Sequence, residues 1–463
     1  MGLSDVLNMG KTSLATHQTL MEVTGNNIAN VNSEGYSRQS VELGTVPALN
    51  FRGFQIGRGV TASNILRAQD TFLNRQILDK NSALGEQAAQ TTPLAELETL
   101  FNLDEDNLSA RIDRFFDSWE QLSVTPDGSV ERDSVLQNAT LLGDAFHAMS
   151  NDLGKLSQQL DSTLADSLSG INQKLRQVAD LNQRVATVEA SGVNANADRD
   201  SRDALLEELS YSLGIKSYEN KDGSIDVQLQ SGLPLVSGNQ AFALETVDSA
   251  SGAVLQVNLG TSARPVDANS LGGEFKGLTT LRDEFIPQLM DNLDQLAYSL
   301  ATEVNGLHSA GTGLDGSTGQ AFFSLAPSSG DNPWSGAAAS IETVLTDSRQ
   351  IAAGQSAATG DNRNALLMAA LKDAKVVVGV HSFGTYYASI ASDVGLESAQ
   401  NQLSVSGLED TMLQMENLRD GKTGVSLEEE MINLIQYQRG FEASAKLLTT
   451  VDEMMDTVLS IKR

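Results

Sequence analysis

The chain has no cysteine, which excludes disulfide staples, thiolate metal ligands and thiol nucleophiles. Proline is scarce, with 8 in 463 residues, so long stretches lack the residue that breaks a helix interior. Aromatic residues are only 5%, while Ala, Leu, Ser, Asn and Gln are plentiful, a balance suited to long helices. Basic residues are outnumbered, 31 against 60 acidic, for a formal net charge of -29. That excess argues against nucleic acid and anionic membrane as partners, because little is present to neutralise phosphate. No apolar run approaches a membrane span; the densest patch, 376–380, is far too short, so no membrane insertion is expected. Residues 1–10 carry Asp5 and no apolar stretch, so no cleaved signal peptide is expected. Composition alone describes an acidic, soluble, cytoplasmic chain long enough for two or more domains.

Catalytic patterns are equally sparse. Gly311-Thr-Gly313-Leu-Asp-Gly316 spells a dinucleotide fingerprint, but helical text precedes it and a Ser/Gly loop follows, so the strand–turn–helix context is missing. The four histidines, His17, His147, His308 and His381, are scattered without metal-ligand spacing. Asp104, Asp106 and Asn107 open like a calcium loop but lack its glycine and closing glutamate, and read better as a turn and helix start. No nucleophile elbow or phosphate loop occurs. The expectation is no enzyme, no cofactor and no metal.

What the chain does have is periodicity at both ends. Leu434, Phe441, Leu448 and Met455 recur every seven residues, and Tyr437, Ser444, Val451 and Val458 form a second such series three positions on. This is a coiled-coil seam, preceded by a Ser426–Glu429 capping box and closed by Lys462 and Arg463 against the helix dipole. Leu7, Leu14, Met21 and Ile28 repeat the spacing near the other end. A narrow seam needs a partner helix, so the two termini are expected to pack on each other and on copies of the chain. Leu448, in mid-seam, reads as solvated in a single chain and buried only on assembly.

Between the ends the text is mainly helical. Residues 45–62 read as an extended or hairpin segment. Helices follow at about 69–86 and 107–123. From 129 to 191 the apolar residues from Phe146 to Val178 keep a heptad with one stutter. As one helix of ~60 residues it would reach ~90 Å, unless Gly154 or Gly170 divides it. After a helix near 203–213 the period changes to two, giving short strands up to about residue 259. A helix returns with Pro287 in its first turn, then a Gly/Ser-rich stretch, 309–340, that reads as mobile loop. Body helices after Asp361 and over 383–420 complete the chain. The fold class expected is mainly α: an elongated multi-helix rod with terminal coiled-coil helices and a small β-rich insertion. The divisions expected are 1–66 (inner-core helix and linker), 67–212 (helical body), 213–272 (β-rich insertion) and 273–310 (body helix). They continue with 311–360 (loop region), 361–423 (body helices) and 424–463 (terminal coiled-coil helix).

Local motifs add a family. Asn27, Asn30, Ser33, Gly35 and Tyr36 stand in a pattern that resembles the Asn-x-x-Thr-x-Gly-Tyr/Phe signature of bacterial flagellar axial proteins, the rod, hook and hook-associated families. The Tyr36-Ser-Arg-Gln39 ending is closer to the hook-associated protein 1 family than to the hook protein. The segments 58–76, 200–209, 272–278, 382–387 and 427–455 are similar to that family as well. Ser33 departs from the usual Thr, Ser426 from a common Asn, and Gly440 from a common Ala. Gly440 reads as a soft spot in the last helix, costing about 1 kcal/mol in helix propensity.

The resemblance implies a structural subunit of the hook–filament junction, exported to the flagellum without a cleaved signal peptide. It implies a self-assembled ring or tube, with the hook protein, a second junction protein and an export chaperone as partners. The assembly residues, read from the heptad seams, are Leu7, Leu14, Met21, Ile28, Leu434, Tyr437, Phe441, Leu448, Val451, Met455 and Val458. Asn27, Asn30, Gly35 and Tyr36 would turn the chain out of the inner helix, Gly35 through a conformation barred to other residues. The large extra domain many relatives carry after Phe322-Phe323 is expected to be absent or vestigial. Two alternatives stay open: a hook or distal-rod subunit, and a secreted hydrolase or adhesin built on an axial scaffold.

Overall fold

The computed structural model describes residues 3–461 except 34, 52–53, 103–106, 250–251, 261 and 329–331. Asp104 and Asp106, of the apparent calcium loop, and Lys462 and Arg463 lie outside the described residues. The chain opens with helix α1 (Leu3–Ala29), then four strands, β1 (Gln39–Thr45), β2 (Leu49–Phe51), β3 (Phe54–Ile56) and β4 (Val60–Arg67). Strands β1 and β4 pair antiparallel, Gln39 opposite Arg67, and β2 pairs with β3 within the excursion between them. The segment 45–62, read as extended or hairpin, thus carries the β2–β3 pairing nested within the β1–β4 pairing.

Helices α2 (Thr71–Leu100), α3 (Leu108–Val124), α4 (Ser129–Glu189) and α5 (Asn196–Leu213) come next. Helix α2 outruns the sequence reading by more than three turns, through Pro93, because Leu94, Leu97 and the following Phe101 are all buried. Asn107 caps α3, its side chain accepting the Ala110 N–H. Helix α4 is unbroken for 61 residues. Gly154 and Gly170 sit on open faces of α4, while Leu153, Leu160, Leu164, Ile171, Leu175 and Val178 stay buried. Packing along that row outweighs two weak helix formers.

Two small antiparallel sheets follow. The first has the order β5 (Lys216–Glu219), β6 (Ile225–Gln228), β7 (Pro234–Ser237) and β8 (Gln240–Ala241). The second pairs β9 (Ala243–Ser249), β10 (Gly252–Asn258) and β11 (Ala263–Pro265). Asn182 of α4 secures the first sheet: its Oδ1 accepts the Ile225 N–H at 3.0 Å and its Nδ2 donates to Ile225 O and Gly238 O. Sequence pattern missed β5, whose Lys216–Glu219 run is polar and largely exposed.

Helix α6 (Gly273–Thr280) continues through a π turn, Leu281–Phe285, into α7 (Ile286–Ala310). Pro287 lies in the first turn of α7, as its missing N–H requires. The last elements are β12 (Phe323–Ser324), α8 (Ala337–Ser340), β13 (Glu342–Thr343), α9 (Arg363–Ala370), α10 (Phe383–Thr423) and α11 (Leu427–Ile461). The architecture is mainly α with small sheets.

The chain divides into two compact units that share α2, α4 and α10. Unit one comprises 1–85, 167–273 and 407–463; unit two comprises 86–166 and 274–406. In unit one Leu73 and Ile77 of α2 meet Met412 of α10, with Leu84 and Met415 beside them. Unit two is built on an aromatic cluster. Phe115 lies 5.8 Å from both Phe322 and Phe323, Trp119 lies 5.8 Å from Phe322, and Phe116 stacks on Phe383 at 5.6 Å.

That cluster corrects the reading of 309–340 as mobile loop. Phe322 and Phe323 are fully buried, and Asn305 Oδ1 accepts both their N–H groups at 2.7 and 2.8 Å. Asp294 accepts the Gly336 and Ala338 N–H groups at 2.8 Å each. Glycine and serine here form turns that bring two phenylalanines into the core.

Candidate assembly interface

The two terminal helices come together within one chain. Ser13 Oγ and Ser444 Oγ are 2.9 Å apart, His17 lies over Gly440, Gly10 lies under Leu448, and Asn27 reaches Glu430 at 3.2 Å. One partner number rises as the other falls, so α1 and α11 are antiparallel. Continuing that register places Leu3 opposite Met454.

Their seam is made of small residues as much as large ones. A methyl group on Gly10 would sit 2.8 Å from Leu448 Cδ2, and one on Gly440 would sit 2.4 Å from His17 Cε1. Both distances are far below van der Waals contact, so each glycine is a notch filled by the opposite side chain. Gly440 is therefore not a soft spot: its propensity cost is the condition for seating His17. Leu448 likewise is not solvated in the single chain; it is half-buried over Gly10.

The seam residues expected from heptads take three positions. Leu7, Leu14, Met21, Ile28, Leu434, Tyr437, Phe441 and Leu448 are half-buried, Val451 is buried, and Met455 and Val458 are exposed. Also buried by the chain's own packing are Gly10, Thr16, Leu20, Val23 and Asn27 of α1, and Glu430 and Ser444 of α11. On α11, Met431, Ile432, Ile435, Leu447, Met454 and Leu459 are also exposed, Ile432 by 65%. An apolar row is left uncovered along the terminal helix.

The motif after α1 forms the joint between this helix pair and the hairpin. Asn27 uses both ends of its amide. Its Oδ1 accepts from Tyr36 Oη at 2.8 Å and Gln39 N–H at 2.9 Å, and its Nδ2 donates to Gln39 O and Glu430 Oε2. Asn30 Nδ2 donates to Asn26, and Ser33 Oγ donates to Asn30 Oδ1. Gly35 has φ +74°, the left-handed conformation that glycine adopts without steric cost. Burial pushes the Tyr36 phenol up to about 12, with Asp200 and Glu430 adding to the shift, so it stays a hydrogen-bond donor.

Arg38 closes the joint. Its Nε donates to the buried Glu430 at 2.7 Å, and its Nη1 pairs with Glu429 at 3.3 Å. The expected Ser426–Glu429 capping box is thus only half made. Glu429 N–H reaches Ser426 Oγ at 3.5 Å, while the carboxylate of Glu429 goes to Arg38. Arg38 and Glu430 were not singled out in sequence because an acidic triplet at a helix start reads as dipole complement. The hairpin is held too, with Thr16 Oγ1 donating to Val60 O and Arg67 pairing with Asp200 and Asp203.

No group of His, Asp and Glu able to hold a metal occurs among the described residues. No described helix is long and apolar enough to cross a membrane. The geometry is that of a packing surface.

Known proteins give this surface a context. The model of the flagellar hook-associated protein FlgK helical domain matches residues 94–323, and that of the flagellar basal body rod FlgEFG protein C-terminal matches 422–461. These define the class, a flagellar axial structural protein. Flagellar hook-associated protein 1 of Bacillus subtilis is 27% identical over 98% of this chain and 97% of its own length. Its Escherichia coli counterpart is 23% identical over 99% of this chain and 100% of its own. The flagellar hook junction protein FlgK from Burkholderia pseudomallei shares the fold at TM-score 0.68 and 16% identity, over 74% of this chain and 99% of that one. The chain belongs to the flagellar hook-associated protein 1 family.

Proposed function

We propose that this chain is a structural subunit of the hook–filament junction of the bacterial flagellum, working by polymerisation and not by catalysis. The observation that carries the reading is the terminal helix pair, whose outer face keeps Met431, Ile432 and Ile435 exposed in a single chain. Its end-to-end match to hook-associated protein 1 relatives supports the same assignment. In the assembled ring or tube these exposed residues, with Met455 and Val458, bury against neighbouring copies. Residues 1–66 and 424–463 then form the inner core, and the remaining divisions form the outer body.

The partners are further copies, the hook protein, a second junction protein and an export chaperone, and export proceeds without a cleaved signal peptide. The helical-domain match at 94–323 favours this over a hook or distal-rod subunit. The experiment is deletion of the gene in the source bacterium. Cells then make hooks and release filament subunits into the medium; normal filaments on such cells would overturn the assignment.

A further inference from the structure

Unit one holds a cavity of about 90 Å³ that helix pairing does not use. Arg67, Arg75, Arg202, Asp203, Glu207 and Glu219 are among the residues that line it. Each of these carboxylates already has a cation. Asp203 takes Arg67 at 2.7 Å, Glu207 takes Arg419 at 2.6 Å, and Glu219 takes Arg199 at 2.7 Å. Arg202 is fully buried and bonds through Nη1 only to neutral acceptors, Asn182 Oδ1 and Gly223 O. Its Nε and Nη2 have no acceptor, and Arg67 Nε is a third buried donor in the same condition.

Buried donors are rarely left unmade, and these three belong to two arginines that both line the cavity. Nε–H and Nη2–H are the side-on edge of a guanidinium, the fork that matches two oxygens of an oxyanion. We propose that the cavity binds a small free oxyanion of the sulfate or phosphate type. Arg202 forms the fork, Arg67 Nε–H adds a third donor, and the exposed Arg75 supplies the outer cation. The anion thereby ties β4, α2 and α5 together.

The test is titration of the full chain with sodium sulfate, and separately with inorganic phosphate, against sodium chloride at matched ionic strength. The readouts are the arginine Nε–H resonances and isothermal calorimetry. Saturable shifts of two Nε–H signals at low millimolar anion are expected, with affinity about tenfold weaker in Arg75→Ala, the loss of one charge-assisted contact. Arg202→Met abolishes the response; should that variant not fold, Arg75→Ala decides alone. No saturation by either anion, equal shifts in chloride, or an unchanged affinity in Arg75→Ala would overturn the proposal and leave a cavity filled by water.

Discussion

Replacing Gly440 by alanine sets two known effects against each other. In an isolated helix the change is favourable by about 1 kcal/mol, because alanine loses less backbone entropy. In this chain the new methyl group would lie 2.4, 2.7 and 2.8 Å from Cε1, Nε2 and Nδ1 of His17, so the ring or the helix must move. Overpacking of this kind costs roughly 1–3 kcal/mol. The expected net effect is a loss of up to about 2 kcal/mol in the pairing of α1 with α11. The double variant His17→Ala/Gly440→Ala removes the overlap and keeps the propensity gain. The cycle of wild type, two singles and the double should therefore show a coupling of at least about 1 kcal/mol favouring the double. Native-state hydrogen exchange of the 432–448 amides reads the pairing directly, apart from global melting. If Gly440→Ala slows exchange by the full propensity gain, with no coupling to His17, the notch is not occupied and the seam described here is wrong.

Four other outcomes follow from the structure. Ile432→Asp with Ile435→Asp should block incorporation into flagella and leave monomer melting within about 0.5 kcal/mol, since both residues are exposed. Leu448→Asp should damage both, because Leu448 packs on Gly10. Asn27→Ala removes an amide with four partners and should cost about 2–4 kcal/mol locally, seen as faster exchange over α1 and the start of α11 with the unit-two core unchanged. His308 in unit two is buried, with Nδ1–H donating to Gln320 O and Nε2 accepting the Ala352 N–H, and burial holds its pKa below the usual imidazole value. The folded chain therefore binds fewer protons than the unfolded one. The contribution is complete above about pH 6.5 and falls away as pH drops through the lower folded value, by at most about 1.4 kcal/mol per pH unit. Melting between pH 7.5 and 5 should be steeper for wild type than for His308→Gln.

Helix was legible wherever apolar residues kept a 3.6-residue rhythm, as along α4, since burial and rhythm share one cause there. The second half of α2 was not legible, because Pro93 and the Ala/Gln/Thr run before it suppress the local signal while distant contacts bury Leu94 and Leu97. The 309–340 stretch was misread for the reverse reason: its local text is all turn, yet Phe322 and Phe323 are placed by α3 and α7. At the terminal seam, heptads located the helices and their mutual attraction but not the contacts of closest approach. Those need Gly10, Ser13, His17 and Gly440 opposite the heptad positions, residues that a hydrophobic pattern passes over. Arg38 and Glu430 were hidden for want of a partner in sequence, being joined only when α11 returns to the joint after α1.

The central claim is that this chain is a junction subunit held in place by its terminal helices. Its most direct test is labelling of intact flagella with antibody to the chain, viewed by electron microscopy in wild-type cells and in cells carrying the Ile432→Asp/Ile435→Asp variant. The account predicts one narrow band between hook and filament in wild type, and no band in the variant although the protein is made. Label spread along the hook, confined to the rod or absent from flagella would contradict it, as would an unchanged band in the variant.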